Sequence, residues 1–354
     1  MDGDSNSDKP EKPKTKGGGA VGRILAGLAG TVLALAIIAG LLAWGGWTWL
    51  NEQFEAAGPA GPEETVQLPR GSGLIAIAEQ LEAEGLITDA RIFRLMVTVD
   101  GGDRDLKAGE FAIPEGASMQ EIYEILREGD TIQYPITVAE GLTSAMIVRI
   151  VEASPVLTGE IADMPAEGTL LPETYLVDRG TSRQAVIDRM AAAQDALLEE
   201  LWPQRAEVLP FNTPDEAITI ASIVEKETGV AAERPLVASV FLNRLRRGMM
   251  LQSDPTIIYG ISQGEPLGRG IYRSELDDAS NPYNTYHFVG LTPTPIANPG
   301  EASIRAVLNP PDTDYLFFVA DGTGGHAFSE TYAEHNRNVA AWRRIERQRR
   351  QAGN

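Results

Sequence analysis

Residues Ile218 to Thr228 form an apolar run, Ile218-Thr219-Ile220-Ala221-Ser222-Ile223-Val224, that ends in two acids, Glu225 and Glu227, separated by Lys226. On a helix, Glu225 continues the face of Ile218, Ala221 and Ser222, and Glu227 that of Ile220, Ile223 and Val224, about 200° apart. Both cannot serve one site. Whichever lies against the apolar wall is desolvated, and its pKa rises. A carboxylic acid that stays neutral near pH 7 can protonate a leaving oxygen, such as that of a glycosidic bond. The plainer alternative is a solvated Glu-Lys-Glu at a helix end. Helix-face geometry leaves the choice between the two glutamates open.

Four further segments are rich in amide, hydroxyl and aromatic groups: Leu251-Gln252-Ser253-Asp254-Pro255-Thr256, Asn281 to Tyr286, Leu291 to Gly300, and Val319 to Phe328. Amides and hydroxyls pair with the hydroxyl and acetamido groups of sugars, and aromatic faces cover their C–H surfaces. Gln252, Asn284, Tyr286, Asn298 and His326 are the candidates for holding a sugar and its transition state. The bland reading is a set of Pro/Gly turns in an α+β domain. Gly322 to Gly325 is no phosphate loop, because no Lys-Ser/Thr follows it.

The elements that position these groups lie in a chain of 354 residues, 43% apolar and 23% charged, with net charge −20, three histidines and no cysteine. That length suits two or three domains, and the apolar share suffices for packed cores. Disulfide scaffolds and thiolate chemistry are excluded. A zinc-ribbon or His-rich metal site is disfavoured, and the candidate chemistry needs no metal or cofactor. The acidic balance argues against nucleic acid as a partner.

Ile24 to Leu50 carries no charge. As a helix it would be ~40 Å long, more than the ~30 Å hydrocarbon core requires. Trp44, Trp47 and Trp49 gather at its end, where indoles favour the interface. Lys9, Lys12, Lys14, Lys16 and Arg23 precede it, which places the N-terminus in the cytoplasm and the rest beyond the inner membrane, in the periplasm. A cleaved signal peptide is the alternative, but the run is too long and ends in tryptophans rather than small residues. Residues 1–23 read as a disordered cytoplasmic tail, 24–50 as a transmembrane helix, and 51–64 as a linker whose Ala56 to Pro62 forms a short stalk. The tail carries about +1 and the last twelve residues about +4, leaving about −25 between them. A body so acidic is expected to stand off anionic headgroups on its stalk.

Between residues 66 and 151 a strand–turn–helix pattern occurs three times, beginning at Val66, Phe111 and Ile136 and turning at Gly71, Gly116 and Gly141. The following helices place Ile77/Leu81, Ile122/Leu126 and Ile147/Val151 at i, i+4, with Ser118 and Thr143 as N-caps. This unit resembles LysM-type modules, which bind N-acetyl-glycans; generic βα packing explains the same positions. The expected domains are a small LysM-like βα domain at 65–133, a larger α+β catalytic domain at 134–346 and a basic tail at 347–354. Helical patterns cover 182–201 and 214–248, the second interrupted by Gly229 and Pro235. Tyr315 to Ala320 reads as a buried strand, and a last helix runs over 329–350.

Jointly, Ala221 to Thr228, Val237 to Leu245, Gln252 with Asp254-Pro255-Thr256, Tyr283 to Tyr286, Phe318 to Phe328 and Gly168 to Tyr175 resemble the MltG (YceG-like) endolytic murein transglycosylase family, in order along the chain. The resemblance implies a single-pass inner-membrane protein with a periplasmic LysM-like domain and a catalytic domain cleaving peptidoglycan glycan strands. It implies peptidoglycan synthases (penicillin-binding proteins) as partners and one catalytic glutamate in the Ile-Val-Glu-Lys-Glu stretch, carried to Glu225 with Glu227 in reserve. The reaction expected is cleavage of the β-1,4 bond from N-acetylmuramic acid to N-acetylglucosamine with a 1,6-anhydro end, terminating strand elongation. A muramidase using Glu225 with Asp254 or Glu227, and a non-catalytic glycan-binding anchor, are the rivals.

Overall fold

A computed structural model of the chain describes residues 19–62 and 64–352. The expected tail at 1–23 lies, through residue 18, outside the described residues. The chain divides into two compact units, with the boundary between Ile132 and Gln133. The architecture is α+β, with small sheets.

The first unit contains α1 (Gly19–Glu55), β1 (Glu64–Leu68), α2 (Leu74–Ala83), α3 (Ala90–Asp100), β2 (Gly109–Ile113) and α4 (Met119–Glu128). β1 and β2 pair antiparallel, with Val66 opposite Phe111. The i, i+4 pairs Ile77/Leu81 and Ile122/Leu126 are buried as their spacing predicts. Ser118 caps α4 in a capping box with Glu121. α1 is the helix, among the described residues, that is long and apolar enough to cross a membrane.

Residues 51–62 differ from the free stalk expected of them. The last turn of α1 enters the core, with the Phe54 ring 6.3 Å from Phe93 and 6.5 Å from Tyr123. Beyond it, Gly58 N donates to Gly116 O at 3.0 Å and Gly116 N to Ala60 O at 2.8 Å. Gly and Pro made the segment read as flexible. The missing Cβ of Gly58 instead allows close approach, since a Cβ there would lie 2.2 Å from Ala117 O.

The second unit begins with β3 (Gln133–Thr137), α5 (Ser144–Ala153), β4 (Thr174–Asp178) and α6 (Arg183–Leu201). β3 and β4 pair antiparallel, with Ile136 opposite Tyr175. Ile147, Val151, Leu170 and Met190 centre the core they share. Then come α7 (Pro214–Glu227), α8 (Arg234–Arg246), α9 (Asp254–Ser262), α10 (Arg273–Leu276) and α11 (Glu301–Leu308). The hairpin β5 (Phe317–Ala320) and β6 (His326–Ser329) and the final α12 (Tyr332–Ala352) complete the unit. The helical pattern over 214–248 breaks between α7 and α8, around Gly229, and Pro235 sits in the first turn of α8, where a missing N–H costs nothing. β5 is only half-buried, because its two-stranded sheet has a partner on one edge and α12 packs against it.

α7 is the central helix. Thr213 caps it, with Glu216 completing a capping box. All eight residues from Ala217 to Val224 are buried, so the helix is covered on every face. α8 and α11 pack on it, through Phe241, Leu242, Ile304 and Val307. Its C-terminus, with the two glutamates, emerges from that core.

Candidate active site

The two glutamates leave α7 into different surroundings. The Glu225 side chain is 6% exposed and is fully engaged in structure. Its Oε2 accepts from Gly300 N at 3.1 Å and from Ser303 Oγ at 2.7 Å, at the start of α11. Its Oε1 accepts from Arg234 Nη2 at 3.3 Å, at the start of α8. A carboxylate there satisfies open donors of one helix N-terminus and neutralises a guanidinium on another. Arg234 is shared with Glu140 at 3.4 Å. Glu225 therefore clamps three helices together.

Glu227 instead lines a cavity of about 380 Å³, with Arg244, Gln252, Asp254, Tyr286, Phe318 and His335 around it. One edge of its carboxyl faces the cavity and the rest is surrounded by protein. Burial pushes its pKa up from 4.5 to about 7, and the Asp254 charge pushes the same way. The Ser253 hydroxyl, which donates to Oε1 at 2.5 Å, and the Arg244 charge pull it back. The face that continues Ile220, Ile223 and Val224 is thus the one that meets the cavity.

The loop 251–256 shapes one wall. Gln252 is left-handed, with φ 52°, which is strained for a residue with a Cβ. Its backbone N–H donates to Thr285 O at 3.1 Å, and Ser253 N–H to Thr285 Oγ1 at 3.0 Å. Tyr286 OH donates to Asp254 Oδ1 at 2.7 Å, and burial with that neighbouring charge keeps the phenol neutral by raising its pKa. Asp254 and Tyr286 also border a second cavity of about 380 Å³, lined by Ile271, Tyr272, Arg273 and Leu276. The acid thus lies in an elongated polar depression.

Of the other expected sugar-holding residues, Gln252 and Tyr286 reach the cavity. Asn284 and Asn298 are 0% exposed and act as internal brackets. Asn284 Nδ2 donates to the carbonyls of Leu276 and Asp278 at 3.0 and 2.9 Å, and its Oδ1 accepts from Tyr286 N. Asn298 Oδ1 accepts from Leu170 N at 3.0 Å, while its Nδ2 donates to Leu142 O and Ser144 Oγ, both at 3.1 Å. Both serve loop geometry through atoms a ligand would otherwise use. His326 pairs through Nδ1 with Glu233 Oε2 at 2.7 Å, its ring edge-on to Phe318 at 5.4 Å. It does not line the Glu227 cavity.

Two cavity groups, Arg244 and His335, and the hydroxyl of Ser253 beside Glu227 are not legible as such in the sequence. Arg244 is buried in α8 and ties loop to hairpin, Nε donating to Leu316 O at 2.7 Å and Nη1 to Leu251 O at 2.6 Å. An arginine directly after the apolar pair Phe241-Leu242 and Asn243, on a helix whose centre is apolar, is the available signal. His335, on α12, stacks on Phe317 at 5.1 Å, and burial with the Arg244 charge lowers its pKa. Ser253, in the Gln252–Thr256 turn, has no role that local sequence reveals. Its hydroxyl needs the fold to bring residue 227 beside it.

Comparison with known proteins shows the family. The chain is 31% identical over 309 residues to an endolytic murein transglycosylase of Bacillus subtilis, covering 77% of this chain and 82% of that one. An endolytic murein transglycosylase of Streptococcus pneumoniae is 33% identical over 324 residues, 78% of this chain and 58% of its own longer length. A crystal structure of a yceG-like protein from Listeria monocytogenes aligns with a TM-score of 0.47 at 30% identity, over 78% of this chain and 98% of that one. The family model described as YceG-like matches residues 66–341, from within β1 to within α12. With that span and those relatives, the chain belongs to the YceG-like family.

Proposed function

We propose that this chain is an endolytic peptidoglycan lytic transglycosylase with Glu227 as its acid and base. The observation that carries the reading is the Glu227 carboxyl, set in a polar cavity and raised by burial to about 7. The names of the Bacillus and Streptococcus relatives support the same class. Protonated Glu227 donates to the leaving O4 of the muramic acid–glucosamine link as the C1–O4 bond breaks. The carboxylate then takes the proton of the muramic acid O6 hydroxyl as O6 bonds to C1. The product is a 1,6-anhydro end, and the carboxyl is restored. A pKa near neutrality suits a group that gives and then takes a proton. Arg244 supports the ionised interval with its charge, while the neutral Tyr286 phenol donates toward Asp254. The nucleophile belongs to the substrate, and its attack gains the effective molarity of an intramolecular reaction.

Asp254 in the same cavity favours one competing reading, a muramidase in which a second carboxylate activates water. Digestion of purified glycan strands by the full chain in detergent, followed by mass analysis, separates them. Transglycosylation gives termini one water lighter than hydrolysis. Hydrated ends alone would establish the muramidase. Cleavage that survives Glu227→Gln would remove both.

The apolar α1 anchors the chain, and the basic residues before it support a cytoplasmic N-terminus in the inner membrane with both units outside. The β1–α2–α3–β2 order of the first unit, with antiparallel strands, supports a LysM-like glycan-binding role. Enzymes that extend glycan strands, the penicillin-binding proteins among them, are the expected neighbours of a cutter tethered at the membrane.

A further inference from the structure

We propose that the first unit is seated in the lipid interface, through the face of α3 that carries Leu95 and Val99, rather than standing above the membrane. The proposal rests on α1 being the membrane span. α1 is one unbroken helix whose last turn belongs to the core of this unit, with Phe54 buried between α3 and α4. The Gly58–Gly116 and Gly116–Ala60 hydrogen bonds hold the following residues against the same core. No hinge separates span from unit, so the depth of one sets the depth of the other.

That depth can be counted along the helix. From Gly27 to Trp47 the rise is about 30 Å, one hydrocarbon thickness. Trp47 then lies where indoles settle, and Phe54 only about 10 Å beyond it. Trp47, Phe54, Met96 and Val99 together line one groove of about 270 Å³, closed on its other side by Tyr123 and Arg127. Val99 therefore lies in the depth range between Trp47 and Phe54, within the headgroup layer. It is 58% exposed, and Leu95, one turn away on the same face, is 46% exposed. Two aliphatic side chains left open beside an interfacial tryptophan match the lower headgroup and upper acyl region. At the rim, Arg127 lies 5.0 Å over the Tyr123 ring and pairs with Asp100 at 3.0 Å. A pair this exposed is weak enough to share its cation with a lipid phosphate.

The chain has no cysteine, so a single introduced one takes an environment-sensitive fluorophore uniquely. The test uses the full chain in phosphatidylcholine vesicles whose acyl chains are brominated near the carbonyl end. Labels at Val99→Cys and Leu95→Cys are expected to lose about half their emission to brominated lipid, as for groups within 5–10 Å of the headgroup boundary. A label at Leu42→Cys, within the span, should be quenched. Quenching at Leu42 with water-like, unquenched emission at Val99 overturns the proposal. Emission at Val99 that is shielded from water yet insensitive to bromine overturns it too, since another polypeptide then covers the face. Loss of quenching at Leu42 as well would remove the membrane span together with the proposal.

Discussion

Ser253 stands at the N-cap of α9 yet gives its hydroxyl to Glu227 Oε1 instead of to its own helix. A serine cap is ordinarily worth about 1 kcal/mol to the helix it starts. Here that stabilisation is forgone, and the hydroxyl lowers the proton affinity of a buried acid. Ser253→Ala should therefore leave α9 nearly as stable. Because the lost hydrogen bond held the Glu227 pKa down, the high-pH limb of the pH–rate profile, where the acid loses its proton, should move to higher pH, by about one unit. A profile of strand cleavage against pH checks it, and a shift to lower pH would contradict the assignment.

Glu227→Gln and Glu225→Gln should separate chemistry from architecture. The first removes the proton donor, lowering cleavage by roughly a hundred- to ten-thousandfold with the fold intact. The second weakens the clamp on Arg234, Gly300 and Ser303 and leaves a buried guanidinium poorly paired, at a cost of about 3 kcal/mol. Melting curves and cleavage rates on the same samples distinguish them. Reversed results would return the acid role to Glu225.

The sign of the pH dependence follows from the raised Glu227 carboxyl. Its folded-state value of about 7 exceeds the ordinary 4.5, so the native state holds this proton more tightly than the unfolded chain. The contribution to stability is fully present below about 4.5 and is lost as pH rises through about 7, on the order of 3 kcal/mol in all. Glu227→Gln should flatten that part of the stability profile. Cleavage at the acid step should fall over the same rise in pH. Thermal melts of both proteins between pH 5 and 8 measure the difference.

Asn284 and Tyr286 lie two residues apart but should behave differently. Asn284→Ala leaves the Leu276 and Asp278 carbonyls without their buried donor and should destabilise by about 2–3 kcal/mol. Tyr286→Phe removes one hydrogen bond at the cavity and should lower cleavage about tenfold while changing stability by less than about 1.5 kcal/mol. Denaturation paired with kinetics on each variant gives the comparison.

Phe54→Ala should loosen the join between α1 and the first unit. Truncating a buried phenylalanine costs about 3–5 kcal/mol. Faster proteolysis within residues 56–62, in detergent or vesicles, is the expected sign.

The sequence by itself determined whatever depends on near neighbours. The uncharged run of α1 follows from local composition. So do the caps at Ser118 and Thr143 and the i, i+4 stripes ending at Leu81, Leu126 and Val151. The opposite facing of Glu225 and Glu227 follows from helical periodicity alone, as does the warning that only one could serve a cavity. Tertiary structure decided which one. Ser303, about 80 residues after Glu225, makes that carboxylate a clamp, while burial and the Asp254 charge raise the Glu227 pKa against the pull of the Ser253 hydroxyl. The same holds for the asparagines, since Asn298 meets Leu170 across 128 residues and an amide in a Pro/Gly loop looks alike whether it binds a sugar or a backbone. Burial and charge act through space, and a pKa is set by whatever the fold places within a few ångströms, which no local pattern encodes.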